Sequence, residues 1–136
     1  MPPRTEPLVL SLLPGRFAVC RLHPEAALPA WAEGGAFCSA TRTKEELSVV
    51  CEEEAVPEGV KSEKGWAALK LHGPIEFGTT GVLSALAAPL AAANLSIFAI
   101  STYDTDYLLV RAESTTEALT ALRKAGHEVR GGVAQP

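Results

Sequence analysis

Two carboxylates and several hydroxyls crowd one short polar stretch, Ser101-Thr102-Tyr103-Asp104-Thr105-Asp106, set between two apolar runs. That is more chemistry than a turn needs. A carboxylate in this place can form a charge-assisted bond to the ammonium group of a small ligand. The plainer account is turn formation, which Asp favours. For Asp106 both accounts stand; Asp104 reads as turn or exposed surface. A second stretch, Gly78-Thr79-Thr80-Gly81, precedes an expected helix. Amides at a helix N-terminus suit a ligand carboxylate, and glycines let the backbone come close. The stretch is neither a dinucleotide fingerprint nor a Walker A loop, since no lysine follows it.

Other reactive side chains point to little. His23 and His72 close two similar runs, and neither has a Cys or His companion at ligand spacing. They read as strand-end histidines bonded to backbone, and neither a metal nor a cofactor is expected. No nucleophile triad is visible, although such triads are spatial and leave no fixed sequence mark. Cys20, Cys38 and Cys51 are odd in number and lack C-x-x-C spacing. Each lies in an apolar run and reads as a small buried hydrophobe. The run Glu52-Glu53-Glu54 reads as a solvated strand end, and Trp31 and Trp66 as packing between helix and sheet.

The elements that must position these residues follow from pattern. Leu8–Leu13 is a strand stopped by Pro14-Gly15, and Arg16–Leu22 is a second. Pro24–Ala32 reads as a short helix closed by Gly34-Gly35. Phe37–Thr41 and Leu47–Cys51 pair as strands, and a charged loop runs over Ala55–Gly65. Trp66–Leu71 is a strand, about Thr80–Ala93 a helix, and Ser96–Val110 a strand–turn–strand hairpin. Ser114-Thr115-Thr116-Glu117 is a capping box opening a helix through Ala125, with Gly126 as its stop. His127–Arg130 supplies a last strand. Residues 1–7 form a polar lead-in, and the residues after Arg130 read as loose.

With 136 residues, 47% hydrophobic and 21% charged, the chain can bury a sizeable core. Its net charge of −4 and pI near 5.4 argue against a nucleic-acid partner, which needs a clustered positive field. No secretory pattern opens the sequence, so a cytoplasmic protein is expected. The uncharged run between Glu76 and Asp104 is long enough to cross a bilayer. Its threonines, Pro89 and Asn94, and its change of period from helical to β-like, argue against a membrane span.

The chain also repeats itself. Phe17-Ala18-Val19-Cys20-Arg21-Leu22-His23 lines up with Trp66-Ala67-Ala68-Leu69-Lys70-Leu71-His72. Phe37–Glu53 then lines up on Ile97–Glu113, with Glu46 over Asp106 and Val50 over Val110. Each copy reads β–α–β–β, and the second adds α–β, a ferredoxin-like βαββαβ unit. The first copy has no room for a second helix, and Leu8–Leu13 stands in for its missing edge strand. Helices on one face of antiparallel sheets make the class α+β.

From Gly81 to Glu113 the sequence resembles ACT domains, most clearly in the string Ile-Ser-Thr-Tyr-Asp-Thr-Asp-Tyr-Leu-Leu-Val and in the helix carrying Pro89. It is similar to the tandem-ACT branch of cytosolic arginine sensors of the CASTOR type and their small bacterial relatives. The resemblance implies two ferredoxin-like ACT units of βαββαβ type in tandem, the first abbreviated. Residues 1–15 form an arm and edge strand, 16–60 the short first unit and 65–131 the second. It also implies a non-catalytic sensor holding an amino acid at the interface between ACT units. Carried over, the contacts are Glu76, Phe77, Thr79 and Gly81 in one loop, and Ser96, Ile97, Thr102, Tyr103, Thr105 and Asp106 on the strand and hairpin. Glu76 stands where the arginine-binding module has glycine, and Thr79 where it has an acid, so arginine itself is not implied. A homodimer is expected, with a regulated protein partner. The alternative is an ACT module that serves structure or protein interaction without a ligand. A ferredoxin-like scaffold can also carry an enzyme, which fold alone does not exclude.

Overall fold

The computed structural model describes residues 7–73 and 81–131. The expected lead-in, the C-terminal residues after Gly131, and Glu76, Phe77 and Thr79 lie outside the described residues. The chain divides into two compact units, Pro14–Trp66 and Met1–Leu13 with Ala67–Pro136.

In the first unit β2 (Phe17–Leu22) pairs antiparallel with β4 (Leu47–Glu52), which also pairs with β3 (Ser39–Arg42). On its other side β2 meets the start of β5 (Lys61–Leu71). Strand β5 begins five residues before the expected Trp66, so the charged loop is shorter than its composition suggests. The β2–β5 register shifts between Phe17 and Val19, and Gly65 sits there with φ +85, a backbone state glycine adopts without strain. Alternation puts Ala18, Cys20, Leu47, Val49 and Cys51 in one core with Ala32 and Val56.

The expected helix over Pro24–Ala32 is only a 3-10 turn at Ala30–Ala32. Pro24 and Pro29 explain this: Pro29 has no amide proton and its ring would clash with the carbonyl four residues back. Alanine content cannot offset that loss.

The second unit is the fuller one. Strand β7 (Asp106–Arg111) pairs with β6 (Ile97–Ser101) and with β5. Strand β1 (Val9–Leu12) pairs antiparallel with β5, Leu10 opposite Leu71, and parallel with β8 (Glu128–Arg130), Leu10 opposite Val129. The sheet order is β6-β7-β5-β1-β8. Strand β1 is therefore not an edge strand completing the first copy. It is inserted within the second unit, where Leu8 and Leu10 enter the core and satisfy both neighbours' backbones. Two helices, α1 (Val82–Ala92) and α2 (Thr115–Lys124), bury Val82, Leu86, Leu90, Ala118, Leu119 and Leu122 in the same core as Leu69, Leu71, Leu108 and Val110. This is the α+β ferredoxin-like arrangement.

The capping box does not form. Ser114 makes no side-chain cap bond and has ψ near 13, inside a 3-10 turn (Ala112–Ser114) that runs straight into α2. An N-cap hydroxyl reaches the N3 amide from extended backbone, which Ser114 lacks. Thr115 Oγ1 instead donates to the Ala112 carbonyl at 2.8 Å.

The end of α2 does follow expectation. Gly126 turns with φ +98, and the His127 amide donates back to the Leu122 carbonyl at 3.1 Å. This delivers the His127 ring to two backbone groups. The Leu8 amide donates to Nδ1 at 3.0 Å, and Nε2 lies 3.2 Å from the Ala85 carbonyl. Since an amide can only donate, Nδ1 is unprotonated and the proton sits on Nε2. Ala85 needs this partner because Pro89, one turn on inside α1, has no amide to give it.

Cys20 and Cys51 are buried, whereas Cys38 is exposed; an apolar neighbourhood in sequence did not bury it. Burial pushes the Cys51 thiol up to about 11 and also raises Cys20.

His127→Ala costs about 2–4 kcal/mol in urea unfolding by stranding two backbone groups. Pro89→Ala restores an amide for Ala85, so the same substitution costs about 1 kcal/mol less in that background; equal costs would refute the carbonyl's dependence on His127. For the cysteines, a disulfide reagent at neutral pH titrates Cys38 alone in the native chain. A raised thiol pKa favours folding below the unfolded value, so the stability due to Cys51 is lost as pH rises from 9.0 to about 11. The alkaline loss should be smaller in Cys51→Ala.

Candidate functional site

The hairpin of β6 and β7 closes over residues 102–105. The Thr102 amide donates to the Thr105 carbonyl at 2.7 Å, and Thr102 Oγ1 spans the same turn, donating to that carbonyl at 3.1 Å and lying 3.3 Å from the Thr105 amide. Thr105 is buried, and its hydroxyl donates to the Leu71 carbonyl at 2.8 Å. The tip is thereby tied to the end of β5. Tyr103 stands 80% exposed at its crest.

Asp106 opens β7 opposite Ser101, whose hydroxyl donates to Oδ1 at 2.6 Å. By alternation Asp106 shares a face with Leu108 and Val110, both core residues. Its carboxylate therefore emerges on the helix side of the sheet. Helix α1 opens with Gly81 at φ 78 and ψ 0, and its first bond runs from the Ala85 amide to the Gly81 carbonyl at 2.9 Å. No side chain caps this end among the described residues, and the first turn carries no acid. The first-turn amides of Val82, Leu83 and Ser84 present a partial positive charge.

The expected contacts thus fall into three groups. Thr102, Tyr103, Thr105 and Asp106 come together at the hairpin tip, at the end of β5 from which the chain leads to Gly81. Ser96 and Ile97 lie at the opposite end of β6. Ile97 pairs with Val110 while Ser101 pairs with Asp106, a separation of about 13 Å along the strand. Glu76, Phe77 and Thr79 are outside the described residues.

The repeat also needs correcting by one residue. The elements superpose Leu47–Glu52 on Asp106–Arg111 and Glu53–Ala55 on Ala112–Ser114. Ser39 opposite Val50 then matches Phe98 opposite Leu109. Thr43, whose amide donates to the Glu46 carbonyl at 2.9 Å, matches Thr102. Asp106 therefore corresponds to buried Leu47, not to Glu46. A slip of one residue exchanges the faces of a strand, so the gapless sequence match is not the structural one.

Two clusters escaped sequence reasoning. In the first unit Pro14, Gly15, Arg16, Glu52, Glu53 and Glu54 line a cavity of about 330 Å³. Glu52 accepts from the Ala36 amide at 2.8 Å, and Glu53 accepts from the Gly65 amide at 2.9 Å. These carboxylates tie loops and are more than a solvated strand end; the signal was their place beside a glycine bulge. In the second unit Ser11 Oγ lies 2.5 Å from His72 Nε2. His23 does bond backbone, accepting from the Glu25 amide at 3.1 Å, but the partner of the His72 ring is this serine. Among the described residues no group of three or more His, Cys, Asp or Glu could hold a metal ion, and no helix is long and apolar enough to cross a membrane.

Comparison with known proteins adds family context. A model of the ACT domain matches residues 61–124, and a second model, described as an N-terminal domain, matches 15–59. A crystallised protein of Agrobacterium tumefaciens is 37% identical, with a TM-score of 0.88 over 96% of this chain and 98% of that one. The human protein CASTOR3P is 36% identical over 87 residues, 54% of this chain and 53% of that protein. Subunit 1 of the cytosolic arginine sensor for mTORC1 from Bos taurus is 29% identical over 99 residues, 65% of this chain and 30% of that protein. The chain thus spans about half of one curated relative and under a third of the other.

The tie between tip and β5 is open to test. Thr105→Val keeps the shape but strands the Leu71 carbonyl, at a cost of about 1–3 kcal/mol in chemical denaturation, whereas Thr105→Ser keeps most of the stability. A larger loss for Thr105→Ser than for Thr105→Val would mean that the methyl packing, not the hydroxyl, holds the tip.

Proposed function

We propose, since the chain belongs to the ACT domain family through residues 61–124, that it is a non-catalytic regulatory protein binding an amino acid. The ligand lies in the second unit, at the end where α1 begins and the hairpin tip is tied down. The observation that carries this reading is the pairing of chemistries there. A helix N-terminus led by Gly81, with no capping side chain among the described residues, suits a carboxylate, and Asp106 on the helix side of the sheet suits an ammonium. An α-amino acid carries both groups on one carbon. Thr102 and Tyr103 form the rim, and Glu76, Phe77 and Thr79 shortly precede Gly81 in the sequence. Ser96 and Ile97, a strand length away, stand outside this ligand. One relative is a subunit of a cytosolic arginine sensor, which supports an amino acid as the class.

Capture of the ligand favours one arrangement of tip and helix over others, and so shifts the equilibrium with a regulated protein partner. The protein acts as a cytoplasmic homodimer in this reading. Two observations favour the second reading, an ACT module that retains the fold without a ligand: Ser101 already occupies one oxygen of Asp106, and the Thr105 hydroxyl is spent on Leu71.

Thermal shift against the standard amino acids separates the two. A ligand at a hundredfold its Kd adds about 2.7 kcal/mol and raises Tm by roughly 5–10 °C. At least one amino acid should do this for the native chain and fail with Asp106→Ala. Silence from all of them at saturating concentration refutes the sensor and leaves the ligand-free module.

A further inference from the structure

The outer face of the second unit carries a row of side chains that the amino-acid site does not use. Register places Ser11 directly opposite Lys70 on β5 and Arg130 on β8. The three share the face opposite the core, since Leu10, Leu69, Leu71 and Val129 point the other way. The next row on this face holds His72, Val9 and Glu128. His72 Nε2 is 2.5 Å from Ser11 Oγ, and Arg130 Nε donates to Glu128 Oε2 at 2.5 Å. The Lys70 ammonium has no partner among the described residues.

Two cations flanking one hydroxyl across adjacent strands repel each other and favour a shared counter-anion. Their backbones stand about 10 Å apart, two strand spacings, so both long side chains can fold over Ser11 and meet one small group. Glu128 engages only the Nε edge of Arg130 and leaves the terminal nitrogens of its guanidinium free to donate. The His72 ring sets the polarity of the hydroxyl. When Nε2 carries the proton and donates to Oγ, the Ser11 proton is free to point outward to an acceptor.

We propose that Lys70, Ser11 and Arg130, with His72 orienting the serine, form a binding site for a small phosphate-bearing anion. A tetrahedral dianion matches two positive charges and a hydroxyl donor on three sides, which a planar carboxylate of single charge does not. The partner is small and compact. An extended polyanion would meet Glu128 on the same face and a chain of net charge −4.

The test is an amide NMR titration of the full chain with inorganic phosphate and with glycerol phosphate, in chloride buffer at constant ionic strength. Saturable shifts are expected at Ser11, Lys70, His72 and Arg130 at millimolar concentrations. The double variant Lys70→Ala/Arg130→Ala should weaken binding at least about tenfold. Ser11→Ala should weaken it severalfold. All three side chains lie on the outer face, and unchanged spectra elsewhere confirm that the variants fold. The amino-acid response of the proposed sensor site should survive all of these substitutions, so failure of one site does not affect the other. Shifts that do not saturate, that persist in the double variant, or that succinate reproduces equally would each overturn the proposal.

Discussion

Pro89 lies inside α1 and cannot donate to the carbonyl of Ala85, one turn earlier. A carbonyl left in this state near a core costs on the order of 1–3 kcal/mol unless something else donates to it. The group that does so is the His127 ring, whose other nitrogen takes the Leu8 amide. One imidazole thus links the inserted strand, the first helix and the turn after the second. Much else depends on it. Strand β1 can sit between β5 and β8 because its first buried amide has an acceptor, and α1 can carry a proline because its lost bond is made good. The tautomer follows without choice, since the amide fixes which nitrogen accepts.

At the tip, sheet periodicity sets the chemistry. Thr105 is tied to β5, and the residue after it begins β7 on the core face. The first unit builds its hairpin on the same plan, with Thr43 in the place of Thr102. There Leu47 occupies the position of Asp106 and is buried, in a core that needs an apolar residue. Two hairpins of one backbone design therefore carry leucine in one and aspartate in the other at the same position at the mouth of the sheet.

Much of this was legible. Strands β1 to β4 and β6 to β8, the helix with Pro89 and the stop at Gly126 follow from period, turn residues and glycine punctuation. Local cues failed where a non-local or conformational condition decided. Alanines in Pro24–Ala32 suggested a helix that Pro29 forbids, and Ser114 carried a cap motif without the extended backbone a cap requires. The place of β1 depends on pairing with residues far along the chain, which hydrophobic pattern cannot specify. The repeat was visible, but a match of residue classes cannot resolve a one-residue slip, and that slip decides which face Asp106 takes. Of the candidate site, the tip residues are grouped as expected. Ser96 and Ile97 are separated from them because nearness in sequence along an extended strand is distance in space.

The bond from Ser101 to Asp106 bears on whether the tip can still bind an ammonium. An ionised carboxylate offers about four lone-pair sites on two oxygens, and the serine takes one of them on Oδ1. Oδ2 retains its acceptor capacity, and the charge remains. A fixed neighbour also holds the carboxylate in one orientation before a ligand arrives, so less side-chain freedom is lost on binding. The serine opposes a ligand only if the ligand must take both oxygens at once, as a bidentate guanidinium does; a single ammonium needs one. An α-ammonium with its carboxylate turned to the helix amides is thus compatible with the bond as it stands. A side-chain guanidinium gripping Asp106 with both arms would have to displace Ser101. On the proposed reading, a tip that takes the amino acid backbone discriminates against arginine entering side chain first.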